Sequence, residues 1–109
     1  MGVESKRLGE PALWILLSLS DQARHGYALI KDIEAASDGR VRLSTGTLYG
    51  AIRRLLEDSW IEPVELADKS RDKQAYKLTP LGRSHLRKEL DHLAHVTRTA
   101  ALRMKSKAV

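Results

Sequence analysis

The chain has 109 residues, 19 Lys plus Arg against 14 Asp plus Glu, and no cysteine. That length supports one domain with a modest core. The missing cysteine excludes disulfides, thiolate zinc sites and thiol redox chemistry, and it fits a reducing cytoplasm as the expected location. A net charge of +5 is a mild pull towards polyanions and does not by itself identify one.

The first apolar run, residues 12–19, follows Glu10 and Pro11. It is too short to span a membrane. No clean small-residue cleavage site follows it, so it reads as a buried helix and not as a secretory signal. Pro11 suits the first turn, and the helix is expected to end near Ser20. Leu13, Leu16, Leu17 and Ser20 form its predicted inner stripe, widened by Trp14 and Ile15. "DQARHG" reads as a turn with a structural His25. A second helix is predicted over residues 27–36, with Tyr27, Ile30 and Ile33 on one face and Gly39 as its stop. Val41 and Leu43 suggest a short strand. Ser44 is a predicted N-cap, and a third helix follows to about Asp58, with Leu48, Ile52, Leu55 and Leu56 at helical spacing. Residues 61–66 and 75–79 alternate as two strands of a hairpin, Pro63 suiting an edge. Thr79 and Pro80 open a last helix that can run to about Lys105.

The expected fold is therefore mainly α with a small β-hairpin. It is a winged helix-turn-helix over residues 1–79, followed by a long C-terminal helix over residues 80–109. In such an arrangement the third helix enters the major groove. Its charge layout agrees. Residues 39–56 contain no acid, yet they include Arg40, Arg42, Arg53 and Arg54. A face that approaches phosphates cannot carry acids at its leading end. Ser44, Thr45, Thr47 and Tyr49 offer hydroxyls, Gly46 and Gly50 allow close backbone approach, and Arg53 and Arg54 lie a turn further on. The free N–H groups at the helix start favour a phosphate. The bland alternative is a solvated basic helix face. The hairpin loop weighs against it, because it carries Lys69, Arg71 and Lys73. Asp68 and Asp72 dilute that charge, so the loop is expected to position the protein on the backbone rather than to read sequence.

"HGYALIKDIE", "LSTGTLYGAIRRLLEDSWIE" and "YKLTPLG" together resemble the PadR family of bacterial transcriptional regulators. The resemblance runs over about residues 13–90, and the short total length is similar to the subgroup with a single C-terminal helix. It implies a DNA-binding regulator, most often a repressor. Two positions depart from the family pattern. Gly50 stands where proline usually follows G-T-L-Y, and "DSWI" stands where a glycine usually comes two residues before the first wing strand.

In the last helix Leu86, Leu90, Leu93, Thr97, Ala100 and Met104 are spaced four, three, four, three, four, a heptad-type seam. One reading folds this helix back on its own domain. The other pairs it with a second copy, and the family resemblance implies a homodimer that also uses the first helix, through Leu13, Trp14 and Leu17. A twofold dimer spaces two recognition helices about one DNA turn apart and predicts a roughly palindromic operator.

Other chemistry is thinly supported. His85, Glu89, His92 and His95 share one side of a single helix, a poor tetrahedral metal site, so neither a metal nor a cofactor is expected. No nucleophile turn, phosphate loop or paired carboxylate cluster points to an enzyme. Trp60 reads as core. Some members of the resembled family bind flat aromatic compounds at the dimer interface, so a small-molecule effector of unknown identity stays open. With Trp14 and Tyr27 as the only aromatics near that interface, the stacking platform is thin. The competing function is a winged helix that binds only protein, without specific DNA binding.

Overall fold

The computed structural model describes residues 8–66 and 74–107. In chain order the elements are α1 (Glu10–Ser18), β1 (Arg24–His25), α2 (Gly26–Ala36), α3 (Thr45–Glu57), β2 (Ile61–Val64), β3 (Ala75–Leu78) and α4 (Pro80–Lys107). Among the described residues the strands form an antiparallel sheet in the order β1-β3-β2. The expected hairpin is thus a three-stranded sheet, and part of "DQARHG" is its third strand. Arg24 pairs with Tyr76 and His25 with Ala75. Two residues suffice because β3 would otherwise leave one edge unpaired. Pro63 lies on β2, at the edge of the sheet, where its missing N–H costs no ladder bond.

α1 is apolar almost all round, so its inward face cannot be phased from sequence. Ile15, Leu16 and Leu19 are fully buried, together with Ser18, whereas Leu13, Trp14 and Leu17 are half-buried. Of the predicted inner stripe Leu16 is fully buried, Leu13 and Leu17 pack half-buried against the core, and Ser20 is half-buried. α2 is displaced in the same way: Gly26, Leu29 and Ile33 face the core, and Tyr27 is exposed. Two arginines satisfy carbonyls at the end of α1. The Arg24 Nε donates to the Ser18 carbonyl at 2.8 Å, and the Arg83 guanidinium donates to the Ser20 carbonyl at 3.3 Å. The Ser18 hydroxyl donates to Asp32 on α2 at 2.5 Å, and Asp32 also lies 3.6 Å from the Arg24 Nε. α1, β1 and α2 are therefore tied by one polar cluster with a half-buried acid at its centre.

α2 and α3 end in the same way. Gly39 N–H donates to the Glu34 carbonyl and Asp38 N–H to the Ala35 carbonyl. Trp60 N–H donates to the Leu55 carbonyl and Ser59 N–H to the Leu56 carbonyl. Both pairs are Schellman closures, which need a left-handed residue just past the cap. Asp38 (φ 57°) and Ser59 (φ 61°) fill that place. Ser59 is the position at which the resembled family usually carries glycine, so the departure keeps the turn and accepts the strain of a side chain there. Val41 and Leu43 are not a strand. They lie in an irregular link, packed on the core, with the Val41 N–H donating to the Ser37 hydroxyl at 2.9 Å.

The start of α4 is locked to the end of α3. Thr79 N–H donates to the Trp60 carbonyl, the Thr79 hydroxyl donates to the Ser59 carbonyl at 2.7 Å, and Gly82 N–H donates back to the Thr79 hydroxyl at 2.9 Å. Trp60 is buried and stacks on His85 with ring centroids 4.2 Å apart, which places it in the core as expected.

Candidate nucleic-acid interface

α3 is built to show one face. Ser44 is its N-cap: its hydroxyl accepts from Thr47 N–H at 3.1 Å and donates to the Thr47 hydroxyl at 3.1 Å. Leu48, Ala51, Ile52 and Leu55 hold the helix on the core, and Leu56 is half-buried. The opposite side carries Thr45, Gly46, Thr47, Tyr49 and Arg53, all exposed, with Gly50 half-exposed. No acid occupies the first turn, so the N–H groups there keep their attraction for anions. Among the described residues, apart from the chain neighbours and the adjacent backbone of α3 itself, no heavy atom lies within 4 Å of a Cβ built on Gly46 or on Gly50. Packing within the chain therefore does not explain these two glycines. They leave the backbone bare on the outward face.

The two arginines separate. Arg53 lies one turn beyond Tyr49 and Gly50 on the outward face. Arg54 is exposed but turned towards α1, where it lines a cavity of about 280 Å³ with Leu8, Pro11, Ala12, Leu55, Asp58 and Trp60. Arg42 is engaged by Glu34 at 3.3 Å, an exposed pair of the weak kind. The wing is framed by β2 and β3, whose last pair is Val64 with Ala75. Lys69, Arg71 and Lys73 lie outside the described residues.

Sequence reasoning misplaced Tyr27, expected on the inner face of α2, and missed the partner of Gly26. Tyr27 is an exposed aromatic with Lys31 Nζ 5.7 Å from its ring centroid. Gly26, at the start of α2, lies directly against Tyr49. The only hint in the sequence was the glycine of "HGY", whose partner could not be read from spacing.

The residues assigned to a dimer contact also separate. Leu86 is 4% exposed and belongs to the core of its own chain. From Leu90 onward the seam is open: Leu90 and Leu93 are 40% and 37% exposed, and Thr97, Ala100 and Met104 are exposed or nearly so. Val96 and Leu102, which the heptad spacing did not include, are exposed as well. The apolar strip thus runs from Leu90 towards the end of α4, and Leu13, Trp14 and Leu17 of α1 are half-buried. No helix among the described residues is long and apolar enough to cross a membrane. Nor do three His, Cys, Asp or Glu side chains gather there where they could hold a metal ion.

A PadR family transcription regulator from Clostridium difficile has a similar fold, with a TM-score of 0.73 at 19% identity over 88% of this chain and 99% of that one. A transcriptional regulator from Clostridium thermocellum gives 0.72 at 21% identity over 83% and 85%. In sequence the chain is 35% identical over 91 residues to an uncharacterized 37.1 kDa protein in transposon TN4556 of Streptomyces fradiae. The match covers 84% of this chain and 25% of that protein, so the chain spans about a quarter of that relative's length. Residues 15–88 match the Transcriptional regulator PadR-like family, a span that holds α2, α3, the sheet and the start of α4. By that match the chain belongs to the PadR-like family, whose members are DNA-binding transcription regulators and not enzymes.

Proposed function

We propose that the chain is a sequence-specific DNA-binding regulator that acts in the cytoplasm as a homodimer, repressing from a roughly palindromic operator. The observation that carries this reading is the outward face of α3: an acid-free first turn, two glycines with open space above them, and Arg53 projecting beside them. A solvated helix face gains nothing from bare backbone, and glycine in a helix interior costs up to about 1 kcal/mol. A groove floor or phosphate wall that must come close gives the glycines a use. Lys69, Arg71 and Lys73 of the wing add phosphate contacts beside the groove.

The test is selection of duplexes from a random pool by the pure protein, followed by titration of the selected operator. Arg53→Ala is expected to weaken operator binding by roughly 1–3 kcal/mol, as for an arginine that reads a base. Arg54→Ala has a smaller effect, because its side chain is turned towards α1. Unchanged affinity in both variants would sink the assignment. A wild type that selects no sequence at all favours the protein-binding alternative.

Gly50→Ala separates stability from binding. A helical alanine with open space around it stabilises the fold by up to about 1 kcal/mol, while its methyl group holds the backbone off the DNA. The expected result is a higher melting temperature together with weaker operator binding. Equal or tighter binding would show that the backbone at Gly50 makes no close approach.

A further inference from the structure

Tyr49 stands on the outward side of α3, yet its hydroxyl is turned to the protein. A Cβ built on Gly26 would lie 2.6 Å from the Tyr49 hydroxyl oxygen, 3.0 Å from its Cε1 and 3.1 Å from its Cζ. The ring therefore rests on the first residue of α2, in space that only glycine leaves open. Gly26 is itself fixed. Its N–H donates to the Gln74 carbonyl at 3.2 Å, and the two residues before it form β1, paired with β3. Tyr76, buried on β3, sits opposite Arg24 in that register. Its phenol is held above the ordinary value of 10.0, first by burial and then by Tyr49, so the two tyrosines lie within electrostatic reach. Tyr49 thus touches the corner at which α2 begins and the sheet ends.

We propose that Tyr49 is a positioning residue for DNA binding: seated on Gly26, it sets the roll of α3 against α2 and the sheet, and it acts on DNA through that roll rather than by touching a base or a phosphate. The proposal rests on the reading of α3 as the helix that enters the groove. Leu48, Ala51, Ile52 and Leu55 hold α3 along one stripe, and a helix held along one stripe can still turn about it. A ring on the flank supplies a second line of contact. Arg53 lies one turn beyond Tyr49, so a small roll carries it out of register with the groove. Helix α3 and the wing must meet the same duplex, and Tyr49 ties the first to the sheet that bears the second.

The test has two arms. The first is a stability cycle on the free protein. Gly26→Ala places a methyl group 2.6 Å from the Tyr49 hydroxyl oxygen, so the ring must leave its seat or the corner must shift, and the melting temperature falls. In Gly26→Ala/Tyr49→Phe the closest clash is gone, and more than half of that loss is recovered. The second arm titrates an operator selected by the wild type. Tyr49→Phe, which keeps the ring, binds within about twofold of wild type, and Tyr49→Ala loses about tenfold. A Tyr49→Phe loss as large as that of Tyr49→Ala shows that the hydroxyl contacts DNA and overturns the proposal. A Gly26→Ala cost that is the same in both backgrounds overturns the seat alone, leaving α3 as the reading helix. A wild type that selects no duplex overturns the DNA reading and the positioning role with it.

Discussion

Leu93→Glu is expected to convert a dimer into a monomer and to abolish tight operator binding. α4 has 28 residues, a rod of about 42 Å. Its first turns are anchored by Gly82 and Leu86, and beyond Leu86 only Glu89 and Thr99, among the residues up to Lys105, are even half-buried. Leu90, Leu93 and Val96 follow one another at spacings of three on the exposed part. In the proposed dimer a second copy, related by a twofold axis and also meeting Leu13, Trp14 and Leu17, covers that strip with like residues. A glutamate at position 93 then faces apolar surface and its own mate. An uncompensated buried charge costs roughly 3–5 kcal/mol, or between about 10² and 10⁴ in the dimer dissociation constant. One winged domain grips only a half-site, so operator binding falls with the dimer. Lys88→Glu, at an exposed polar position of the same helix, is the control and leaves the dimer intact. Sedimentation of wild type and both variants at micromolar concentration decides the matter. A monomeric wild type, or a Leu93→Glu variant that stays dimeric and binds its operator, removes the basis for the palindrome.

Gly82→Ala is expected to cost more folding stability than any surface change in the chain. A Cβ at that position would overlap the Trp60 carbonyl oxygen and lie 2.8 Å from its carbonyl carbon and 3.0 Å from its Cα. These atoms are backbone and cannot swing aside as a side chain would. Moving α4 away breaks the Thr79 bonds to Trp60 and Ser59 and opens the Trp60–His85 stack. The loss is roughly 3 kcal/mol or more, which in a domain of this size lowers the melting temperature by roughly 10–20 °C. Thermal unfolding by circular dichroism measures it. A shift of only a degree or two would mean that the junction of α3 and α4 yields more easily than its hydrogen bonds suggest.

α3 and the start of α4 were legible in the sequence because local chemistry marks them. Ser44 caps its own helix, Leu48, Ile52 and Leu55 repeat with the helical period, and Thr79 followed by Pro80 is a local start signal. What stayed hidden depends on partners distant in sequence. β1 has two residues and exists because β3 offers it an edge. Val41 and Leu43 alternate like a strand, but among the described residues no strand pairs with them. The phase of α1 could not be read, since an almost wholly apolar helix carries no polar face to orient it. The seam of α4 is continuous in spacing, so nothing in it marks Leu86 as core and Leu90 as open surface. The outward position of Gly46, Tyr49, Gly50 and Arg53 follows from the same helical period. That Tyr49 turns back to Gly26, and that Arg54 turns to α1, are facts of three-dimensional neighbourhood.

The caps at the end of α1 bear on the order in which the molecule assembles. Residue 20 leaves the ribosome early, but the arginine that satisfies its carbonyl lies 63 residues later in the chain. β1 likewise waits for β3. Contacts of such long sequence separation delay folding, because a large loop must close before they form. While the first two thirds of the chain emerge, α1 and α2 can coil and close their ends locally, but the Ser20 carbonyl still lacks Arg83 and residues 24–25 still lack β3. Gly26 gains its bond to the Gln74 carbonyl only when the segment leading into β3 arrives, so, on the role proposed for Tyr49, the outward face of α3 takes its final attitude late in synthesis. Until then residues 24–25 have no sheet to join, and the almost wholly apolar α1 lacks the cover that α4 later gives it.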